Sequence, residues 1–319
     1  MATGQIGIDC VTVTASTGIN VCPYNPKNIG GVIFVPAGTV ITPTQVTAMQ
    51  ATLTAAIANN SAALRWLPVG KFEGVEDLGT DAVTTETEYG DEKYVRNGKY
   101  RWKFMYSNGA LDLHSELSKM NGKQDQYDVI LIDHTNNALI LTASGAANYK
   151  GFSMGMLFAP NIKINTGSAD TVYSLNIGLD DSTQLNENWR LITMPKTIPI
   201  IDTFQGLRPI RLEVVTEIVG STKTVVIRVW SGSQNLYDYY PTELATAAAW
   251  NIRRDATGIS TVASAVTAVP ATKSFQVVSS TMATTTASDE CTVLLGPVSA
   301  LTSAGVLRHA NAQIGTTAT

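Results

Sequence analysis

"EYGDEKYVRNGKYRWKFMY" (residues 88–106) sets acids, bases and aromatics around one Asn-Gly pair. Asn-Gly is the favoured centre of a two-residue type I′ turn, so Asn97-Gly98 predicts a β-hairpin. The turn would place Val95 opposite Tyr100, Lys93 opposite Trp102 and Asp91 opposite Phe104. The other face would pair Tyr94 with Arg101 and Glu92 with Lys103. In the second strand Tyr100, Trp102, Phe104 and Tyr106 share an apolar side, while Lys99, Arg101 and Lys103 share a charged one. Such a strand anchors to its own core by one face and leaves the other for solvent or a partner.

Residues 71–92 hold eight of the chain's 26 acidic residues against the single base Lys71. This stretch reads as an acidic arm or long hairpin loop. Loops of this length in compact domains are functional or solvated, and charge complementarity selects partners. The expected subunit-interface residues are therefore the acids Glu73, Glu76, Asp77, Glu86, Glu88 and Glu92 and the bases Lys99, Arg101 and Lys103.

Further upstream, "GGVIFVPAG" (30–38) predicts a buried strand, and "ITPTQVTAMQATLTAAIANNS" (41–61) predicts a helix. Thr42 serves as N-cap, Pro43 as first helical residue and Gln45 as the partner in a capping box, with Ile41 and Val46 as a hydrophobic staple. Val46, Met49, Leu53, Ala56 and Ile57 fall on one face, which suits a helix covering a sheet. Downstream, "LDLHSELSKMNG" predicts a short helix with Leu113, Leu117 and Met120 inward and Gly122 as its stop. Strands follow at 127–133 and 138–143, then in "GFSMGMLFAP" and "TVYSLNIGLD". The short links favour a sandwich or barrel with helical cover over a doubly wound sheet.

A chain of 319 residues has room for two cores, and Pro195, Pro199 and Pro209 mark a boundary within 195–209. The expected domains are 1–200 and 201–319. Beyond the prolines, Leu212, Val214, Thr216 and Ile218 alternate with Arg211, Glu213 and Glu217, and Val225, Ile227 and Val229 form a second inward set. With "KSFQVVSS" and "CTVLLGPVS" this predicts an immunoglobulin-like sandwich, interrupted by a short helix near "TELATAAAW". The fold class is mainly β (α+β).

Composition excludes several functions. A net charge of −4 and a pI near 5.4 offer no broad basic surface for holding nucleic acid. Cys10, Cys22 and Cys291 match no zinc spacing; Cys10 and Cys22 stand either as thiols or as one bridge. No nucleotide, hydrolase or metalloprotease motif occurs, and His114, His134 and His309 keep no metal-ligand spacing. Asp180-Asp181 with Asn186 and Glu187 could lend oxygens to calcium, but the spacing departs from an EF-hand and suits a solvated turn. We expect no catalytic residue, no cofactor and no membrane span.

The succession of "IGGVIFVPAG", the charged loop "KFEGVEDLGTDAVTTETEYGDE", a charged strand, an aromatic strand and a helix resembles bacteriophage tail-tube-like virion proteins. More narrowly, it is similar to structural proteins of phages infecting Bacteroidetes, over roughly residues 5–180. The resemblance implies a sandwich-like subunit in hexameric rings, with one face lining a DNA channel and a long hairpin or loop reaching adjacent subunits. It further implies an immunoglobulin-like outer domain. The expected function is thus a non-enzymatic structural protein forming rings or a tube of the tail, made in the bacterial cytoplasm and located in the virion. Its partners would be copies of itself and other virion proteins, with genomic DNA only in passage. Another ring, neck or capsid-associated protein, or a carbohydrate-binding or adhesive β module, is the alternative; the tidy helix at 42–60 is a departure from the family pattern.

Overall fold

A computed structural model describes residues 29–86, 88–106, 110–145, 147–162, 171–218, 223–254, 257–279, 291–306, 309–311 and 317–318. Cys10 and Cys22 lie outside the described residues, as does the side chain of His309. The fold is mainly β, and the chain parts into two compact units between Gly206 and Leu207.

In the first unit, β1 (Ile29–Pro36), β2 (Val40–Ile41), β3 (Leu67–Gly70) and β4 (Gly74–Asp77) precede the short pair β5 (Val83–Glu86) and β6 (Glu92–Arg96). Then come β7 (Arg101–Tyr106), β8 (Tyr127–Asp133), β9 (Ala138–Ser144), β10 (Asn148–Lys150), β11 (Phe152–Phe158), β12 (Tyr173–Leu179) and β13 (Trp189–Thr193). All but β5 and β6 join one 11-stranded sheet, ordered β2-β10-β9-β8-β11-β12-β7-β4, with β1 bridging β3 and β8, and β13 on β9. The pairings within it are antiparallel.

The central strands are apolar on both faces because both faces are covered. Val32 and Phe34 of β1, with Val129 and Leu131 of β8, point into one core shared with Phe104, Phe152, Leu175 and Ile177. Ile33 and Val35, with Ile130 and Ile132, point the other way, onto Val46, Met49, Leu53 and Ile57 of the helical layer. That layer is α1 (Pro43–Thr47) and α2 (Met49–Ile57). Thr42 caps it as its sequence suggests: Gln45 N–H donates to the Thr42 hydroxyl (3.4 Å), and Thr42 N–H donates to the Gln45 side chain (2.9 Å). The single helix expected is broken at Ala48, where φ is −106° and ψ 36°. The Thr52 hydroxyl donates to the Gln45 carbonyl (3.0 Å), giving a partner to a carbonyl at the break. On the other side of the sheet, α3 (Ala110–Ser118) packs Leu117 and partly buried Leu113 onto the first core, and Gly122 takes φ +75° beyond its end.

The expected hairpin turn at Asn97-Gly98 is not formed. β6 pairs with β5, not with β7: Val83 faces Arg96, Thr85 faces Lys93 and Glu86 faces Glu92. β7 pairs instead with β4, so that Phe104 faces Val75, Lys103 faces Glu76 and Trp102 faces Asp77. Leu78 N–H to the Arg101 carbonyl (2.9 Å) and Thr80 N–H to the Lys99 carbonyl (3.0 Å) carry the ladder from one pair to the next. The acidic stretch, read as an arm or a long hairpin loop, is one limb of a long hairpin over 74–106. Its tip lies at Glu88–Asp91, where Gly90 supplies φ +81°. Asn97-Gly98 sits inside the returning limb, and Gly98 runs so close to the opposite limb that a Cβ there would lie 1.7 Å from the Thr80 carbonyl.

α4 (Thr183–Asn186) follows β12, and α5 (Ile200–Thr203) ends the first unit. The division after Gly206 falls within the expected 195–209, but the domain limit placed at 200 cuts through α5. Ile200 and Phe204 are buried in the helix-side core, and Ile201 lies where Cβ atoms at Gly31 or Gly70 would approach its side chain within 2.8 Å. Asn136, in the left-handed region at φ +60°, pins the segment by accepting from Ile200 N–H (2.7 Å) and, through its side chain, from Ile201 N–H (2.6 Å).

The second unit has β14 (Arg208–Ile218), β15 (Lys223–Ser231), β16 (Gln234–Asn235), β17 (Trp250–Arg254), β18 (Ser260–Val262), β19 (Ala265–Val269), β20 (Ser274–Ser279), β21 (Cys291–Leu295), α6 (Val298–Ser303), β22 (His309–Asn311) and β23 (Thr317–Ala318). Two sheets, β19-β20-β15-β14-β22 with β16, and β18-β17-β21-β23, sandwich a core of Leu212, Val225, Ile227, Val229, Trp250, Phe275 and Val293. Thr216, expected inward, is exposed because a bulge between Val214 and Thr216 shifts the alternation. The expected helix near 242–250 is only a 3₁₀ turn at Ala247–Ala249.

A fragment ending at Gly206 should unfold cooperatively, whereas one ending at Ile200 deletes Phe204 and Ile201 and should lose about 3–5 kcal/mol or fail to fold. Urea melts of the two fragments followed by tryptophan fluorescence measure this. Thr42→Ala should cost about 1 kcal/mol in the same assay.

Candidate functional site

The long hairpin is held at its root, and its outer strands pair only with each other. At the root, Phe104 and Tyr106 are buried, Tyr100 and Trp102 are half-buried, and their rings form a ladder. Tyr100 stacks on Trp102 at 5.9 Å between centroids, and Phe72 stacks on Phe104 at 4.5 Å. The Tyr100 hydroxyl donates to the Asn186 side-chain oxygen. Beyond the root, β5 and β6 pair only with each other and are exposed at every residue. At about 3.3 Å per residue this limb reaches roughly 20 Å past the sheet.

Of the expected interface residues, Glu76 and Lys103 satisfy each other within the chain, at 2.7 Å. Asp77 accepts from Gly79 N–H (2.8 Å), and the Glu73 N–H joins the ladder through the Met105 carbonyl (2.8 Å). These three acids thus help set the root of the hairpin. Glu86, Glu88 and Glu92 gather at the tip, where Glu86 stands directly opposite Glu92. Like charges across a strand pair destabilise it. Lys99 and Arg101 lie back at the root, apart from the tip acids, and with Arg96 they make no ion pair to a described residue.

Sequence reasoning missed the arm's apolar surface. Tyr89 is 92% exposed, Tyr94 60% and Val95 54%. The signal was present in "VTTETE" and "EKYVR", two short segments rich in β-branched residues or tyrosine that flank a glycine. A bulge at Val83/Thr84 leaves Val95 as the extra residue of β6, which strengthens the local twist.

Between the arm and the body runs a groove of about 510 Å³. Tyr94, Val95, Arg96, Asn97, Gly98 and Lys99 form its arm wall, and Asp180, Asp181 and Ser182 form the opposite one. Asp181 accepts from Thr183 N–H (2.9 Å), so this carboxylate closes a turn before α4. The Asn186 oxygen proposed for calcium is taken by Tyr100, and among the described residues no group of three metal-ligating side chains occurs. Among them, too, no helix is long and apolar enough to cross a membrane.

His114 and His134 make contacts within the fold. His134 lies in the β8–β9 turn with Nδ1 3.1 Å from Asp133, itself buried. His114 is buried on α3, its Nδ1 3.0 Å from the Tyr106 hydroxyl, and both rings lie beside Tyr173. Burial, with Tyr173 adding to it, pushes the Tyr106 phenol up to about 12. Below pH 10 the phenol is neutral in both folded and unfolded chains. Between pH 10 and 12 the unfolded chain loses its proton first, so stability falls as pH rises. Tyr106→Phe should flatten that part of the alkaline loss while lowering stability at pH 8 through the lost hydrogen bond; urea melts at both pH values read the difference.

Compared with protein-family models, curated proteins and solved structures, the chain matches none.

Proposed function

We propose that the chain is a non-enzymatic structural subunit of a phage virion, assembling with copies of itself into rings or a tube of the tail through which DNA passes. The observation that carries this reading is the arm. A two-stranded ribbon alone is marginal in water, and this one leaves the sheet with both faces exposed and tyrosines and valines uncovered. Its folding energy comes from the root, while its surface is left for something outside the subunit. The resemblance of residues 5–180 to tail-tube-like proteins supplies the identity of that something, a neighbouring subunit. Passage of DNA without capture suits a net charge of −4. The adhesive reading would draw on aromatics in an open cleft, and Tyr94 lies on one; Trp102, Phe104 and Tyr106, the larger part of the hairpin's ring ladder, pack against their own core.

A heterologous contact repeated around an axis closes a ring, and each contact should bury at least about 1,000 Å². Negative-stain electron microscopy of the purified chain should show rings or tubes, and sedimentation should show a species many times the subunit mass. Replacing residues 81–97 with a short turn should leave monomers whose melting is nearly unchanged. Backbone amides of β5 and β6 should exchange quickly in the monomer and slowly in the assembly. Monomers under all conditions of salt and concentration would sink the proposal.

A further inference from the structure

Asn-Gly occurs three times in this chain, at 97–98, 108–109 and 121–122. The pair is chemically labile because glycine has no Cβ to shield its own nitrogen from the preceding carboxamide. Attack by that nitrogen needs two things, a glycine N–H without an acceptor and an asparagine side chain free to turn onto it. Asn108-Gly109 lies outside the described residues, and the other two pairs differ in both respects.

At 121–122 both groups are held. The Asn121 side chain donates to the Ala159 carbonyl (3.0 Å) and accepts from Ala159 N–H (2.7 Å), and Gly122 N–H donates to the Leu157 carbonyl (3.3 Å). At 97–98, neither Gly98 N–H nor the Asn97 side chain has a hydrogen-bond partner among the described residues. Asn97 is exposed on the wall of the groove beside the arm, where water reaches it. Its glycine cannot be exchanged for a bulkier neighbour, since a Cβ there would lie 1.7 Å from the Thr80 carbonyl. Thr80 is also where the two limbs are tied: its N–H donates to the Lys99 carbonyl (3.0 Å), and its hydroxyl accepts from Lys99 N–H (3.0 Å).

We infer that Asn97 is a site of self-modification, whose reaction with Gly98 loosens the arm from its root as the protein ages. The Gly98 nitrogen gives its proton to solvent base and attacks the Asn97 side-chain carbonyl carbon. A new C–N bond forms, the bond to the side-chain nitrogen breaks, and that nitrogen takes a proton from water and leaves as ammonia. Water then opens the resulting succinimide at one of its two carbonyls. One opening gives aspartate; the other gives isoaspartate, in which the main chain runs through the former side-chain methylene. The second product therefore adds one carbon to the returning limb alone, two residues from the bonds between Thr80 and Lys99. Extra length on one limb of a ladder displaces the nearest cross-limb bonds, as a bulge does. β5 and β6 then stay paired with each other while their tie to β4 and β7 is weakened. The reaction needs only this chain and water, so it is independent of the assembly reading above.

The test is to hold the full-length chain in mildly alkaline buffer, folded and in urea, and to follow each asparagine by peptide mapping with mass spectrometry. In the folded chain Asn97 should convert at least about tenfold faster than Asn121, because the hydrogen bonds that hold Asn121 and Gly122 must break before they react. In urea the two should convert at similar rates, since the fold and not the dipeptide separates them. Hydrogen exchange of the Thr80 and Lys99 amides should be faster in aged wild type than in fresh protein. Aged Asn97→Gln should show no such change, because glutamine closes the larger ring far more slowly. Asn97 as slow as Asn121 in the folded chain, or a difference that persists in urea, would overturn the site. Unchanged exchange at Thr80 and Lys99 in fully converted protein would overturn its effect on the arm.

Discussion

The register of β7 against β4 is the constraint on which the rest hangs. With Phe104 opposite Val75 and Lys103 opposite Glu76, the aromatic side of β7 enters the core and the charged side meets its partners outside. A slip of one residue would turn Phe104 to water and Lys103 into the core. Burial of one such ring is worth about 2–3 kcal/mol, and four aromatics share the side that would be lost. The exposed Glu76–Lys103 pair adds under about 1 kcal/mol, so it reports the register more than it enforces it. Once fixed at the root, the register runs out along Leu78–Arg101 and Thr80–Lys99 into a limb that has no core of its own.

The body that holds this root is stiff because its middle strands are buried twice. β1 and β8 send alternate residues into the aromatic core and into the helical layer, so neither strand can shift without breaking both. Close approach does the rest. The bare backbones of Gly31 and Gly70 admit Ile201, and Asn136 holds the segment that carries it. This is why the proline-rich stretch, which looks like a linker, belongs to the first unit as far as Gly206.

What could be read in the sequence was what is decided locally. The Thr42 cap, the staple of Ile41 and Val46, the strands expected at 127–133 and 138–143 and the apolar side of β7 depend on neighbours a few residues away, and they stand as expected to within a residue. The Asn97-Gly98 turn failed because a good local signal lost to a longer ladder. A turn there would have paired at most the few residues from 91 to 106, whereas the observed limb pairs across 74–86 and also covers the aromatics with β4. The winning partner was hidden by its charge, since eight acids in 22 residues suggest solvent and not a strand. The bulges at Val95 and Val215 are likewise set by pairing at a distance, and the one at Val215 reversed the expected facing of Thr216. The charged residues expected at an interface fall into groups that the sequence did not separate: the internal pair Glu76 and Lys103, acids near the tip of the arm, and bases nearer its root.

An exposed ribbon with uncovered tyrosines and valines is a hazard as well as a tool, because a free strand edge accepts any other edge. Here the hazard is limited by charge of both signs placed along the same ribbon. Glu86 and Glu92 repel a second tip, and Lys93 and Arg96 repel a second base-rich limb laid in the same sense. Selectivity of this kind costs stability in the lone subunit, where the facing glutamates strain the end of the hairpin. A positive surface laid over the tip would offset that cost. On the proposed assembly reading, a charge-matched surface arriving at the tip would remove this repulsion and order the arm in the same step.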